Sequence, residues 1–213
     1  MVISTRPVKA EILALLLPQS KFVFRMQGVD NRLYLTFDDG PDPQFTPRVL
    51  DLLGELEAPA TFFCIGRNLE RHPELAARAH REGHTLGNHS FCHQRFGSLP
   101  RASQLQEVEQ TDRLLQEITG KRGHLFRAPQ GNWNAGLLLQ LMSRGIRCVH
   151  WSFDSLDYKK EPTAEFIQRM KVANPVAGDV MLFHDDGALC ADALWELVPW
   201  WRAAGMTFAA LPR

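Results

Sequence analysis

Two adjacent carboxylates, Asp38 and Asp39, follow the apolar run 33–37 and precede a Gly-Pro turn. Ionised carboxylates are costly to bury unless they are paired or bind a metal, so two of them suit a core poorly. They suit chemistry better, because one acid can hold a metal ion while the other moves a proton. The segment therefore indicates a site that combines metal binding with proton transfer.

Two histidines four residues apart, His89 and His93, follow a later apolar run. Histidines at this spacing reach one face of a turn, where they could share a metal ion. The spacing alone is weak, since the chain has eight histidines and His80 and His84 repeat it. We interpret that second pair as a decoy at a helix end, and Cys92 as a bystander thiol rather than a soft ligand.

Further polar residues stand at or just after the ends of other predicted strands, where parallel barrels form their active sites. They are Arg127, Asp154, Asp157 and His184. Five segments would thus converge on one rim. Asp185 and Asp186 beside His184 are interpreted as solvated loop acids.

The elements that must position these residues alternate between strands and helices. Strands are predicted near 33–37, 60–65, 85–88, 124–128, 146–153, 179–184 and 207–211. This alternation predicts an α/β fold with a parallel sheet. About seven units favour a distorted, closed or nearly closed (β/α) barrel over an open sheet.

Caps and breakers delimit the helices. Thr46 before Pro47, and later Asn134, are predicted N-caps. The last helix is predicted from about Ala191, with Pro199 bending it. Glycines predicted to lie just past helix ends are Gly83, Gly120, Gly145 and Gly205.

Composition points to one ordinary globular domain. The chain has 213 residues, 45% hydrophobic and 23% charged, with a formal net charge of zero. One sizeable core is expected, and nothing suggests a nucleic-acid surface. We assign residues 1–30 to an N-terminal extension and 31–213 to the functional domain. The four cysteines form no CxxC pair, which favours free thiols in a reducing, cytoplasmic compartment.

The apolar run 12–17 near the N-terminus is too short for a membrane span. It lacks a clear cleavage site for export, and we predict an N-terminal helix there. Weak association with a lipid surface stays open.

The five polar segments, taken together, resemble the polysaccharide deacetylase family, also called the NodB-homology or carbohydrate esterase 4 family. In this chain they read Thr36–Pro41, Gly87–His93, Phe126–Gly131, Trp151–Tyr158 and Leu182–Asp185. They occur in order, and the resemblance covers nearly everything from about residue 31 to 213. In length the chain is most similar to the small chitooligosaccharide deacetylases of the NodB type.

The resemblance implies a metal site and two proton-transfer groups. Asp39, His89 and His93 would bind one divalent ion, zinc first, with cobalt, nickel or manganese as alternatives. Asp38 would be the general base and His184 the general acid. Of their partners, Arg127 would pair with Asp38, while Asp157, or as a second choice Asp154, would pair with His184.

Substrate contacts follow from the same resemblance. The backbone N–H of Gln130, beside Gly131, would hold the oxyanion. Trp151, Tyr158 and Leu182 would form an acyl pocket, although each could equally be plain core. The family usually has Tyr at position 130 and Trp at position 158, so these two departures concern substrate contact rather than the reaction.

The implied function is hydrolysis of an N-acetyl group from a GlcNAc-type oligo- or polysaccharide. An alternative is a deacylase or deformylase of a lipid-linked or small amino-sugar intermediate; O-deacetylation of xylan-like polymers is disfavoured. A catalytically silent carbohydrate-binding module should have lost one of the key residues, and none is lost. One open three-ligand site is also a poor design for metal storage.

Overall fold

A computed structural model of the chain describes residues 8–28, 30–94, 96–122, 125–159 and 161–212. Its strands are β1 (Phe22–Val23), β2 (Arg32–Asp38), β3 (Thr61–Cys64), β4 (Thr85–Asn88), β5 (Leu125–Phe126), β6 (Arg147–Val149), β7 (Phe153–Asp154), β8 (Val180–His184) and β9 (Thr207–Phe208). Its helices are α1 (Val8–Leu16), α2 (Thr46–Glu55), α3 (Gly66–Arg71), α4 (Pro73–Arg81), α5 (Arg101–Thr119), α6 (Ala135–Ser143), α7 (Thr163–Ala173) and α8 (Ala188–Ala203).

The strands form one parallel sheet that curls into an open, distorted barrel, which confirms the predicted fold class. Their order is β1-β6-β5-β4-β3-β2-β8-β7, and β9 pairs with the start of β2. Every named strand pair is parallel. The carboxyl ends of the strands therefore share one rim, as the sequence predicted.

The predicted strand 146–153 is wrong as a single element. It is divided into β6 and β7, which pair with different neighbours. The His150 amide donates to the Val23 carbonyl at 2.7 Å, whereas the Ser152 amide donates to the Val180 carbonyl at 3.0 Å. The chain changes hydrogen-bond partners between these residues, so Trp151 lies where it crosses the opening of the barrel.

The segment before residue 31, set apart as an extension from the sequence, supplies an edge strand of the sheet. Phe22 and Val23 of β1 pair with β6 and are 1% exposed. Helix α1 packs Ala10 and Leu13 onto the same cluster as Phe22, and leaves Leu15 and Leu16 exposed. No described helix is both long and apolar enough to cross a bilayer.

Helix boundaries follow the predicted caps in part. Asn134 caps α6 as predicted, since its side chain accepts from the Leu137 amide at 2.8 Å. Thr46 is wrong as an N-cap, because the cap position is Phe45 and no side chain caps α2. The Thr46 hydroxyl instead accepts from the Asp42 amide at 2.7 Å. Helix α8 begins earlier than predicted and continues through Pro199.

The end of the barrel opposite the rim is closed by the C-terminal segment. The predicted strand 207–211 is shorter, since only Thr207 and Phe208 form β9. Leu211 is buried and bonds through its backbone to the hydroxyls of Thr61 and Thr85, the first residues of β3 and β4. Among the described residues, the polar groups that line the candidate site lie at the carboxyl ends of the strands.

Candidate active site

Asp38 is the last residue of β2, and its carboxylate is buried against Arg127. The Arg127 guanidinium donates through Nη1 to Asp38 Oδ1 at 2.7 Å and to the Thr36 hydroxyl at 2.8 Å. It lies over the Phe63 ring, 4.1 Å from the centroid. Burial alone would raise the pKa of Asp38, but Arg127, with His89 and His184, holds that pKa below its ordinary value. Asp38 is thus kept ionised, as a base must be.

Asp39, His89 and His93 gather their ligand atoms within 4.8 Å of one another. The Nε2 atoms of His89 and His93 lie 3.6 and 3.4 Å from Asp39 Oδ1, which is buried and has no hydrogen-bond partner among the described residues. A buried carboxylate oxygen that faces two imidazole nitrogens fits a divalent cation. The group does not include Cys92.

The protonation state of His89 also fits metal binding. Its Nδ1 lies 2.9 Å from the Arg127 carbonyl, which can only accept, so Nδ1 carries the proton and Nε2 presents its lone pair. Burial lowers the pKa of His89 below its ordinary value despite the opposing charges of Asp38 and Asp39. The ring is therefore held neutral, the form that binds a metal.

Residues that the sequence analysis did not single out hold the ligand segments. The Glu107 carboxylate on α5 accepts the amides of Phe91 and Cys92 at 2.9 and 2.7 Å, which fixes the loop between His89 and His93. The Asn68 side chain donates to the Asp39 carbonyl at 2.8 Å. Neither residue belongs to a motif, so only the fold reveals these contacts.

His184 ends β8 beside β2 and is held by Asp157. The His184 ring Nδ1 lies 2.7 Å from Asp157 Oδ1, and its backbone amide donates to Oδ2 at 2.8 Å. Burial alone would lower the pKa of His184, but the hydrogen bond and charge of Asp157, with Asp38 and Asp39, raise it to about 10. Asp154 bonds to the Leu156 amide instead, so the structure favours Asp157 as the partner.

A pocket of about 280 Å³ brings most of the predicted residues together. Its lining comprises Asp38, Asp39, His89, His93, Gln130, Trp151, Asp154, Tyr158, Leu182 and His184. Arg127 and Asp157 lie behind it, in contact with residues that line it. Gly131, predicted to touch substrate, does not line the pocket and packs against the rings of His150 and Trp151.

The expected acyl-pocket residues differ in exposure. Leu182 is 4% exposed, and Trp151 is half-buried. Tyr158 is 53% exposed, and its ring meets the His184 ring edge-on, with centroids 5.8 Å apart. Tyr158 also lines a larger neighbouring groove of about 470 Å³, together with Asp157 and His184. The pocket therefore opens onto space for more than an acyl group.

Asp185 is not the solvated acid that the sequence suggested, because it is completely buried. Its Oδ2 accepts from the Thr46 hydroxyl, and its carboxyl group lies so close to Gly40 that a side chain there would collide at 2.3 Å. Burial, followed by the charges of Asp39 and Asp186, raises the pKa of Asp185 to about 7. Asp186 is exposed, as expected.

The second histidine pair lies away from the rim, which supports its interpretation as a decoy. His84 is 4% exposed at the start of β4, and its Nδ1 accepts from the Ala60 amide at 3.1 Å. This is the contact of a structural histidine. The barrel separates it from the pocket, because Thr85 begins the strand that ends at Asn88.

Comparisons with known proteins bear on the family of the chain. The family model for polysaccharide deacetylase matches residues 26–149. A peptidoglycan-N-acetylglucosamine deacetylase from Bacillus cereus is 32% identical over 90% of this chain and 72% of its own length. A chitooligosaccharide deacetylase from Rhizobium leguminosarum bv. trifolii is 35% identical over 78% of this chain and 77% of its own. A crystal structure of a peptidoglycan N-acetylglucosamine deacetylase superposes with a TM-score of 0.85 at 29% identity, covering 90% of this chain and 91% of that one. The chain belongs to the polysaccharide deacetylase family.

Proposed function

We propose that the protein removes N-acetyl groups from GlcNAc-type units of an oligo- or polysaccharide. One observation carries the proposal: a base held by Arg127 and an acid held by Asp157 face a three-ligand metal group across one small pocket. Amide hydrolysis needs this combination, since one group must accept a proton and another must donate one to the leaving nitrogen.

The donor set of Asp39, His89 and His93 fits a divalent ion, and zinc is proposed because it favours two imidazoles and one carboxylate. When bound, such an ion would lower the pKa of water and polarise the acyl carbonyl. Cobalt, nickel and manganese accept the same ligands and are the alternatives to zinc in the cell.

The chain's own residues complete the reaction. Asp38 accepts the proton of the attacking water, since Arg127 keeps it ionised and oriented. The Gln130 backbone N–H stabilises the oxyanion that forms as the carbonyl is attacked. His184, protonated because Asp157 raises its pKa, donates to the departing nitrogen. The acetyl methyl lies against Leu182 and Trp151 in the pocket.

The groove beyond Tyr158 supports an oligomeric substrate over a free monosaccharide. Its volume exceeds that of the catalytic pocket, and the two share Tyr158 and His184. A chitooligosaccharide is proposed first, supported by relatives that carry that activity in their names, and peptidoglycan is the rival polymer, because a relative named for it matches over a similar span. Since the described cysteines are all free, we also propose a reducing, cytoplasmic location.

Acetate release from N-acetyl-chitooligosaccharides by zinc-loaded protein tests this function. Wild-type protein is expected to release acetate, and Asp38→Asn protein with equal zinc content is expected not to. Release from peptidoglycan fragments alone would move the substrate to that polymer. No release from either, with zinc bound, would contradict N-acetyl hydrolysis and direct the search to lipid-linked or formylated amino sugars.

A further inference from the structure

His150 is a buried histidine beside the catalytic pocket to which no role has been assigned. It is 2% exposed and lies where the chain crosses the opening between β6 and β7. Its backbone carbonyl faces Arg127 Nη2 at 3.5 Å, and its ring stacks on Trp151 with centroids 4.0 Å apart. His150 thus touches both the residue that holds the base and a wall of the pocket.

The His150 ring also holds the loop that carries Gln130. The Trp133 indole N–H donates to His150 Nδ1 at 3.2 Å. Gly131 approaches the same ring so closely that an added Cβ would lie 2.6 Å from His150 Cε1 and 2.8 Å from Trp151 Cη2. One imidazole therefore contacts this loop at two points, Gly131 and Trp133.

This loop needs external support. Gln130 has a φ of 55° and Gly131 a φ of 64°, so two consecutive residues lie in the left-handed region. A side chain such as that of glutamine makes this region unfavourable, and the surrounding structure must impose it. Trp133 anchors the far side of the turn, because its ring packs edge-on against Phe22 and Phe126.

The partner of the imidazole fixes its protonation state. Because an indole only donates, His150 Nδ1 accepts and the ring proton lies on Nε2. Nε2 is buried without a hydrogen-bond partner among the described residues, which costs free energy that a phenyl ring would not. Burial first, and then the charge of Arg127, lower the pKa of His150 to about 3, so the ring stays neutral.

We propose that His150 is a positioning residue that holds the Pro129–Trp133 turn so that the Gln130 backbone N–H points at the acyl oxygen. The inference rests on the proposed deacetylase function. It assigns His150 no contact with substrate. Its contribution comes from the acceptor at Nδ1 and from the flat ring surface against Gly131.

Three variants test this role: His150→Phe, Trp133→Phe and the double variant. His150→Phe keeps an aromatic ring and removes the acceptor, and Trp133→Phe removes the donor. We expect each to lower kcat about tenfold or more, with KM within about twofold and zinc content unchanged. We expect the kcat of the double variant to be no lower than that of the less active single variant, because both substitutions break the same hydrogen bond.

A stability measurement separates positioning from packing. His150→Phe removes a buried unpaired N–H but leaves the Trp133 indole N–H without its acceptor, so its Tm is expected to change little while kcat falls. His84→Phe is the matched control, since it makes the same exchange far from the pocket: it removes a buried unpaired Nε2–H and the acceptor of the Ala60 amide. It is expected to change Tm to a similar extent and to leave kcat unchanged, so that a loss of kcat in His150→Phe alone reports positioning.

Unchanged kcat in both single variants, or losses that multiply in the double variant, would overturn the role of His150. A histidine nitrogen NMR spectrum that shows His150 protonated at Nδ1 would also overturn it, whatever the activity. If the wild-type protein itself releases no acetate, the deacetylase function fails instead. The two failures are therefore distinguishable.

Discussion

Asp157 binds His184 at two points, through Oδ1 to the ring Nδ1 at 2.7 Å and through Oδ2 to the backbone amide at 2.8 Å. The second contact fixes the end of β8, and the first fixes the ring. Because β8 pairs with β2 in a register that sets His184 opposite Asp38, one carboxylate determines where the acid stands relative to the base.

The charge of Asp157 sets the pH range in which His184 can act as an acid. Asp157→Asn removes the negative charge that raises the pKa of His184, so this pKa is expected to fall. The acid then loses its proton at lower pH, and the alkaline limb of the profile of kcat against pH moves to lower pH. The measurement is kcat against pH at equal zinc loading.

Asp154→Asn is the matched control for this shift. Asp154 lines the same pocket and is mostly buried, but its carboxylate bonds to the Leu156 amide rather than to the His184 ring. We expect a smaller displacement of the alkaline limb. An equal shift in both variants would contradict the special role of Asp157.

Replacing the base is expected to reduce turnover strongly and to preserve metal binding. Asp38→Asn leaves Asp39, His89 and His93 in place, so zinc content should stay at one ion per chain. General base catalysis contributes roughly 10²–10⁴-fold, and kcat should fall by that order. The variant also leaves Arg127 buried without a counter-charge, so we expect a lower Tm. Full activity in a folded, zinc-loaded variant would show that another group is the base.

The two histidine pairs provide an internal comparison for metal binding. His89→Ala removes a buried ligand whose Nε2 faces Asp39, and bound zinc is expected to be lost. His84→Ala removes a histidine of similar burial at the far end of β4 and is expected to keep its zinc while losing stability. Metal analysis after dialysis reads out both. Retention of zinc by His89→Ala would contradict the ligand assignment.

The sequence predicted the rim of the site because strand direction alone places strand ends together. Five strands, β3 to β7, separate Asp38 from His184 along the chain, yet both residues end apolar runs of a parallel sheet. Once the runs are recognised, their carboxyl ends must share an edge. The pairing of Arg127 with Asp38 is an expectation from the resemblance to the family, and the two side chains lie 2.7 Å apart.

The sequence could not predict which neighbours of these residues are buried. Asp185 stands beside His184 in a run of two acids and a glycine, which is the pattern of a solvated loop. Its burial depends on Gly40 and Thr46, which follow the neighbouring strand β2 and are distant in the sequence. His150 likewise lies in a run that resembles one continuous strand. The backbone pairs with β1 at His150 and with β8 at Ser152, and this change of partner is a tertiary effect.

The buried carboxyl group of Asp185 is expected to make the stability of the metal-free protein depend on pH. Its pKa is raised from 3.8 to about 7 in the folded chain, so the folded state binds a proton that the unfolded state has released between these values. Stability should therefore fall as pH rises from about 4 to 7, by an amount on the order of 4 kcal/mol from this group alone.

Asp185→Asn should remove that dependence. It keeps an acceptor for the Thr46 hydroxyl and carries no charge. In urea unfolding of zinc-free protein, the variant should match the wild type near pH 4 and exceed it in stability at pH 8. Asp186→Asn, at the exposed neighbour, should show a much smaller difference between the two pH values. A variant at Asp185 that is equally destabilised at both values would mean that the carboxylate stabilises the fold in its ionised form.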